Sequence, residues 1–532
     1  MAWYHEAIFY HIYPLGMLDA PKKNHYGPPV HRLNGLLPWL AHIRGIGCNA
    51  IYIGPLFESV GHGYETTDYK KVDSRLGTNE DLRTFVAECH RQGIRVVLDG
   101  VFNHVGRDFF AFRDLKEKRE ASRYKNWFCS VNFRANNSFR DGFSYENWAG
   151  HDLLVKLNQR NPEVIAYICE VIRFWVREFD IDGIRLDAAD VLDFDYMKAL
   201  RRTANEVKAD FWLMGEVVHG NYGRWANEET LHSVTNYVLH QALFSSHNDR
   251  NYFELAHAIK YVTGMVGDMG KLYSFVDNHD VERIFTKLKN KAHYLPVHIL
   301  LYTLPGIPSV YYGSEFGIVG KKERYSDHSL RPALRYEAYR NALETNPHTK
   351  LIAALGRIRR DTPALNRGDY RELVLQNTHF AFARTLAGRQ ALVTVNCGTR
   401  SASMELACGD APEFVGALSG ERVTASRGRI RVTVAAGSGE IWLPADRCKV
   451  PPVPIQIAGP ASITPPPKPA PPPAVPAFDP NKPYEEMTVA ELQEVILAKM
   501  RRNGPVTDYM LGTVRENTHH GSLVTWARSF LF

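Results

Sequence analysis

The chain has 532 residues, 45% of them hydrophobic and 23% charged, a balance close to that of ordinary globular proteins and far from wholly disordered or fibrous chains. Lysine and arginine exceed aspartate and glutamate by 64 − 58 = +6, too small a surplus over this length for the dense basic face of a nucleic-acid binder. Proline is the outlier, because 14 of the 30 prolines fall between residues 451 and 483.

The N-terminus, Met-Ala-Trp-Tyr-His-Glu, lacks a basic segment followed by an apolar run, so no signal peptide is expected. Every apolar stretch is broken before the roughly 18 residues a membrane span needs. The seven cysteines are scattered with no C-x-x-C pair, which reads as reduced, mostly buried thiols in a cytoplasmic protein. From residue 7 to about 315, short apolar runs alternate with longer amphipathic stretches, the pattern of repeated βα units around a parallel sheet. The runs are Ile8 to Ile12, Ala50 to Ile53, Arg95 to Asp99, Ile184 to Asp187, Trp212 to Glu216, Val234 to Tyr237, Leu272 to Val276 and Val310 to Tyr312. Eight such units predict an α/β fold, a (β/α)8 barrel occupying residues 1–104 and 161–344 with its active site at the C-terminal strand ends. About 80 residues separate the third and fourth runs, so an inserted domain is expected over 105–160. Lys287, Lys289 and Lys291 read as a solvated helix face.

From 345 to 447 the pattern turns to alternating, turn-rich segments such as Arg431-Val-Thr-Val434, predicting an antiparallel β-sandwich. Residues 448–483 form a proline-rich linker, which cannot build a packed core. In the tail, 484–532, Thr488 and Glu491 form a capping-box pattern, and Leu492, Val495, Ile496 and Met500 keep one helical face apolar until Asn503-Gly504-Pro505. A small helical module follows, which would either dock on a protein partner or fold back on the body.

Asp99, Asp187, Glu216 and Asp280 terminate or closely follow four of the predicted strands. One acid at such a position is ordinarily a cap or turn residue. Four of them in one barrel converge on one mouth, the arrangement glycoside hydrolysis needs: a nucleophilic carboxylate and a second carboxyl acting as acid and then base. Arg185 lies two residues before Asp187, so strand alternation points both to the same face. Asn103-His104 and Asn278-His279 add groups that could hold sugar hydroxyls or, for the histidines, serve structure or a metal. No H-E-x-x-H or similar close ligand set is present.

Asp99-Gly-Val-Phe-Asn-His104, Gly183-Ile-Arg-Leu-Asp-Ala188, Gly215-Glu216 and Phe275-Val-Asp-Asn-His-Asp280 resemble, in order and spacing, the four signature regions of the α-amylase family of glycoside hydrolases (family 13). The resemblance spans about residues 5 to 445 and implies a barrel with an inserted domain B and a C-terminal β-sandwich. It implies Asp187 as nucleophile, Glu216 as general acid/base and Asp280 as transition-state stabiliser. Arg185, His104, His279 and the aromatic Tyr64 would hold the sugar, with Asp327 and Arg331 binding it after the eighth strand. Asp99 would be structural support. Asn103 matches a position that often binds calcium, although the inserted domain shows no cluster of further oxygen ligands. No cofactor is otherwise required.

Leu154-Val-Lys-Leu-Asn158, Glu216-Val-Val-His219 and Asn236-Tyr237 are similar to segments of the neopullulanase, cyclomaltodextrinase and maltogenic amylase group. The implied substrates are maltooligosaccharides, cyclodextrins or related α-glucans, cleaved mainly at α-1,4 bonds with retention. Departures from that group are Val155 for its Pro, Ile184 for its Trp, and Asp190-Val191 for its Asn-Glu. The last pair lines the leaving-group side and leaves open a transglycosylase or sucrose-active transferase using the same acids. A catalytically inactive binding scaffold is disfavoured by the complete set of acids.

Overall fold

The computed structural model describes residues 2–324, 326–447, 482–502, 514 and 517–529. Eight strands form one closed parallel barrel in sequential order: β1 (Phe9–Ile12), β2 (Ala50–Ile53), β3 (Arg95–Gly100), β4 (Gly183–Leu186), β5 (Trp212–Gly215), β6 (Ser233–Thr235), β7 (Leu272–Phe275) and β8 (Ile307–Tyr311). These are the eight apolar runs of the sequence, and they are mostly apolar because both faces of a parallel barrel strand are covered. β4 and β5 end one residue before Asp187 and Glu216, so both acids lie just past the last ladder position. β8 starts at Ile307, three residues before the predicted run, and carries Pro308 inside the ladder opposite Ser274. Phe9, Tyr52, Trp212, Met214, Tyr273, Phe275 and Ile307 belong to one buried cluster of barrel residues.

The outer helices follow from their caps and stripes. Between β3 and β4, the helix Pro162–Phe179 has Asn161 as cap, accepting from the Glu163 amide, and proline in its first turn. Val164, Ile168, Val171, Ile172 and Trp175 form its buried stripe, and Trp175 stacks on Phe57 at 4.4 Å and 8°. Ahead of that helix the chain builds a three-stranded antiparallel sheet from His104–Val105, His151–Lys156 and Asn147–Trp148.

Beyond the barrel, six strands between Asp369 and Pro444 form one antiparallel sheet, and Ala402–Ala407 pairs with Arg429–Val434 in a second. The residues Ala383, Leu392, Met404, Leu406, Ile430, Val432 and Trp442 belong to one buried core. Ile430, Val432 and Val434 alternate with exposed neighbours, the period-2 pattern read from the sequence.

Of the three lysines expected on a solvated face, Lys289 is exposed and pairs with Asp249 at 3.3 Å, whereas Lys287 and Lys291 correct the expectation. Lys287 lies over the Phe244 ring at 3.9 Å, and Lys291 donates to the carbonyl of Leu288 at 2.7 Å, with Phe285 as a second acceptor. The four-residue helix Ile284–Lys287 is too short to present a face, and its exposed carbonyls take up the ammonium instead.

The chain divides into two units, residues 1–461 and 462–532. Most of the predicted proline-rich linker, 448–481, and the predicted stop at Asn503-Gly504-Pro505 lie outside the described residues. In the second unit, Thr488 and Glu491 form the predicted capping box, the Thr488 amide donating to Glu491 Oε2 at 2.6 Å and the Glu491 amide to Thr488 Oγ1 at 3.3 Å. The apolar stripe Leu492, Val495 and Ile496 packs within the tail, against Leu523, Val524 and Ala527 of the helix His520–Ser529. That stripe is therefore consumed internally rather than offered for docking.

Candidate active site

The register of β3 and β4 sets Asp99 directly opposite Arg185. Arg185 Nη1 donates to Asp99 Oδ1 at 2.9 Å, to Asp99 Oδ2 at 3.1 Å and to Asp187 Oδ1 at 2.8 Å. Its second terminal nitrogen, Nη2, pairs with Glu216 Oε2 at 2.8 Å. The near oxygens of Asp187 and Glu216 are thus tied to the two ends of one planar guanidinium, a geometry lysine could not supply. Tyr52 Oη donates to Asp99 Oδ2 at 2.7 Å, and the Ala188 amide donates to Glu216 Oε2 at 3.1 Å. Ala188 adopts φ 46°, the left-handed turn that aims this amide back toward β5.

Past β7, Asn278 Oδ1 accepts from the amides of Asp280 and Val281 at 2.8 and 3.1 Å, folding the segment into a tight turn. Asp280 is thereby placed between His279 Nε2, 3.0 Å from its Oδ2, and Arg331 Nη2, which donates to its Oδ1 at 2.9 Å. His279 lies parallel to both Tyr13 and Tyr64, with ring separations of 5.9 and 5.7 Å and interplanar angles of 13° and 12°. Tyr64 Oη also hydrogen-bonds His279 Nε2. Arg331 reaches Asp327 Oδ2 at 3.1 Å. Arg331 and Asp327 line a cleft of about 610 Å³ together with Tyr13, His62, Glu65 and Lys322.

The electrostatics divide the acids. Burial pushes Asp187 well above the ordinary carboxylate range, with Glu216 and Asp99 adding to the rise and Arg185 opposing it. Asp99, like Asp187, is pushed up by burial, with Arg185 opposing the rise. For Asp280, burial is outweighed by His279, Arg331 and Arg185, which hold it well below the usual range. His104 is neutral, its value pushed down to about 3 by burial and by His62. Among the described residues, His11 Nε2, His104 Nε2 and His279 Nδ1 are buried without a hydrogen-bond partner. Such atoms are costly unless a ligand's hydroxyl groups meet them.

Of the residues singled out in the sequence, Tyr64, Asp99, Arg185, Asp187, Glu216, His279, Asp280, Asp327 and Arg331 form one connected network. His104 stands beside it, parallel to Trp148 at 6.3 Å and 8°. Asn103 does not join the network. Its Oδ1 accepts from Gln159 Nε2 at 2.9 Å and its carbonyl from the Leu157 amide at 3.0 Å. It is a strut between β3 and the end of the insertion. Among the described residues no cluster of three or more acid, histidine or cysteine side chains could hold a metal.

Sequence reading passed over Tyr13, Tyr52 and Trp148, and gave Tyr237, noted there only for its resemblance, no role at the site. Tyr237 Oη donates to Glu216 Oε1 at 3.3 Å. His11, a buried histidine within the apolar run Phe9-Tyr10-His11-Ile12, was findable as a polar break in a barrel strand.

Comparison with known proteins agrees with this geometry. Residues 12–362 match the family described as "Alpha amylase, catalytic domain". A cyclomaltodextrinase from Geobacillus thermopakistaniensis is 30% identical over 423 residues, covering 77% of this chain and 69% of that protein. Neopullulanase 2 from Thermoactinomyces vulgaris is 30% identical over 472 residues, covering 82% and 78%. Among solved structures, the cyclic α-maltosyl-(1→6)-maltose hydrolase from Arthrobacter globiformis superposes with a TM-score of 0.71 at 25% identity, covering 83% of this chain and 99% of that one. No helix among the described residues is long and apolar enough to cross a membrane. With its closed barrel, its acids gathered at the strand ends and this match over most of the first unit, the chain belongs to the α-amylase family of glycoside hydrolases and is a glycosidase.

Proposed function

We propose that the protein is a retaining hydrolase of α-glucans, cleaving mainly α-1,4 bonds in maltooligosaccharides or cyclodextrins. The observation that carries this reading is the bracketing of Asp187 and Glu216 by one buried guanidinium at the ends of β4 and β5. Glu216 gives its proton to the glycosidic oxygen as the C1–O bond breaks, and an Asp187 carboxylate oxygen forms the new bond to C1. In the second step Glu216 takes a proton from water, whose oxygen bonds to C1 and releases Asp187. Asp280, held ionised between His279 and Arg331, opposes the positive charge that develops on the sugar ring. His104, His279 and Arg185 contact the sugar in the cleavage position, Tyr64 offers its ring face to a pyranose, and Asp327 and Arg331 bind the adjoining unit. The free cysteines, five of the six described being buried, fit a reducing, cytoplasmic setting.

The test is trapping with a 5-fluoro-α-glucosyl fluoride followed by peptide mass spectrometry. A glycosyl adduct on Asp187 is the expected result, and an adduct elsewhere, or inversion at C1, overturns the proposal. A panel of β-cyclodextrin, pullulan, soluble starch, maltotriose, isomaltose, trehalose and sucrose, with product analysis, identifies the preferred substrate and separates hydrolysis from glycosyl transfer.

A further inference from the structure

Glu216 presents two unlike oxygens. Oε2 is surrounded by donors, Arg185 Nη2 at 2.8 Å and the Ala188 amide at 3.1 Å, so no proton can reside there. A proton carried by this group must sit on Oε1, and the protein atom facing Oε1 is the hydroxyl of Tyr237, at 3.3 Å. Tyr237 is itself oriented. Asn278 Nδ2 donates to Tyr237 Oη at 3.1 Å, which leaves the phenolic hydrogen to point toward Glu216. The other end of the same amide, Asn278 Oδ1, holds the turn that carries Asp280. The Tyr237 ring is fixed edge-on against Phe275 of β7, with centroids 5.0 Å apart at 82°.

We propose that Tyr237 is a positioning residue for the acid/base carboxyl: it anchors Glu216 Oε1 and, through Asn278, locks that oxygen in register with the Asp280 turn. This rests on the reading of Glu216 as the acid/base. While Glu216 is protonated, Oε1 directs its hydrogen at the glycosidic oxygen and accepts from Tyr237. Once the proton has left with the leaving group, the carboxylate formed is held by three donors, Arg185, Ala188 and Tyr237. Oε1 is then in place to receive the proton of the attacking water. The hydroxyl therefore serves the proton transfers and not the bond between C1 and Asp187. Burial, with the charge of Glu216, pushes the Tyr237 phenol well above its ordinary range, so it remains a donor throughout the working pH.

Tyr237→Phe keeps the ring and its packing and removes only the hydroxyl. The experiment compares kcat/KM for maltotriose, whose leaving group needs protonation, with kcat/KM for α-maltosyl fluoride, whose leaving group needs almost none. The expected result is that Tyr237→Phe loses about tenfold or more on maltotriose relative to the fluoride, a fraction of what general acid catalysis contributes. Activity on the fluoride also reports that the variant is folded. Equal losses on both substrates, or no loss on either, overturn the proposal. Glu216→Gln run in parallel separates the two readings: if it shows the substrate split and Tyr237→Phe does not, only the role of Tyr237 fails, and if Glu216→Gln shows none, the assignment of the acid/base itself fails.

Discussion

Asp99 and Arg185 face one another across β3 and β4, and every acid that ends β4 or β5 is held through that pair. Removing either partner leaves a buried charge uncompensated, and even a conservative change of the arginine is costly. Arg185→Lys keeps the charge but cannot reach Asp99, Asp187 and Glu216 together. We expect kcat/KM on maltotriose to fall by about 100-fold or more while the circular dichroism spectrum is retained. Wild-type turnover in that variant would show that the shared guanidinium is dispensable.

The acid side of the pH profile follows from Asp187. Its value lies above the ordinary carboxylate range because of burial and of the neighbouring Glu216 and Asp99. As the proposed nucleophile, Asp187 works only when ionised, so turnover is expected to decline as pH falls through this raised value. The acid limb of kcat/KM should therefore lie clearly above about 4, the value of a free aspartate. A limb at or below that point contradicts the assignment.

Asp182, one residue before β4, is a second hub, and its role is stability. It is met by His90 Nε2 at 2.7 Å, Arg95 Nη1 at 2.8 Å, Lys208 Nζ at 3.1 Å and the Val96 amide at 2.9 Å. Against the effect of burial, hydrogen bonds from His90 and Val96 bring its value down to about 2. A depressed carboxyl stabilises the fold above its unfolded value near 4 and loses that contribution as pH falls from about 4 to about 2, an amount of about 2 kcal/mol. Asp182→Asn should lower Tm at neutral pH and flatten its fall over that acid window; an unaltered Tm against pH curve would count against it.

Trp148 extends from the insertion to lie parallel to His104. If its ring forms part of the sugar-binding wall, Trp148→Ala loses about 1 kcal/mol of aromatic contact. KM for maltotriose should then rise about fivefold with a smaller change in kcat. A fall in kcat at constant KM would place Trp148 outside the binding wall.

The tail is a separate unit with its own apolar core. A chain ending at residue 449 should keep the turnover number of the full protein on maltotriose, and a collapse of activity would show that the tail belongs to the catalytic machinery.

The barrel was legible because its strands are buried on both faces and therefore mostly apolar, while the outer helices keep caps and stripes, as Asn161 and Trp175 do. The acids were legible for the same reason: Asp99, Asp187 and Glu216 are abrupt charges at the ends of such runs. The partners that act on them were not. Tyr13, Tyr52 and Tyr237 stand in or beside strands where an aromatic residue is ordinary packing, and only closure of the barrel brings Tyr52 to Asp99 or Tyr237 to Glu216. Asn103 is legible as a polar residue beside His104, but its partner Gln159, 56 positions away, is reached only through the fold. The lysines at 287 and 291 failed for want of a helix long enough to have a face.

The strut at Asn103 has a consequence for how the family's inserted domain can vary. His104 and Val105, where the chain leaves the barrel, pair with Lys156 and Val155, where it returns, and Leu157 and Gln159 bond back to Asn103. The detour is pinched shut at its neck. Lengthening or trimming it beyond Val105 and Val155 alters only a loop that is already closed, and the entropy of such a loop changes slowly with its length. The barrel can thus exchange what overhangs its mouth, Trp148 included, while β3 and the acids it supports stay where they are.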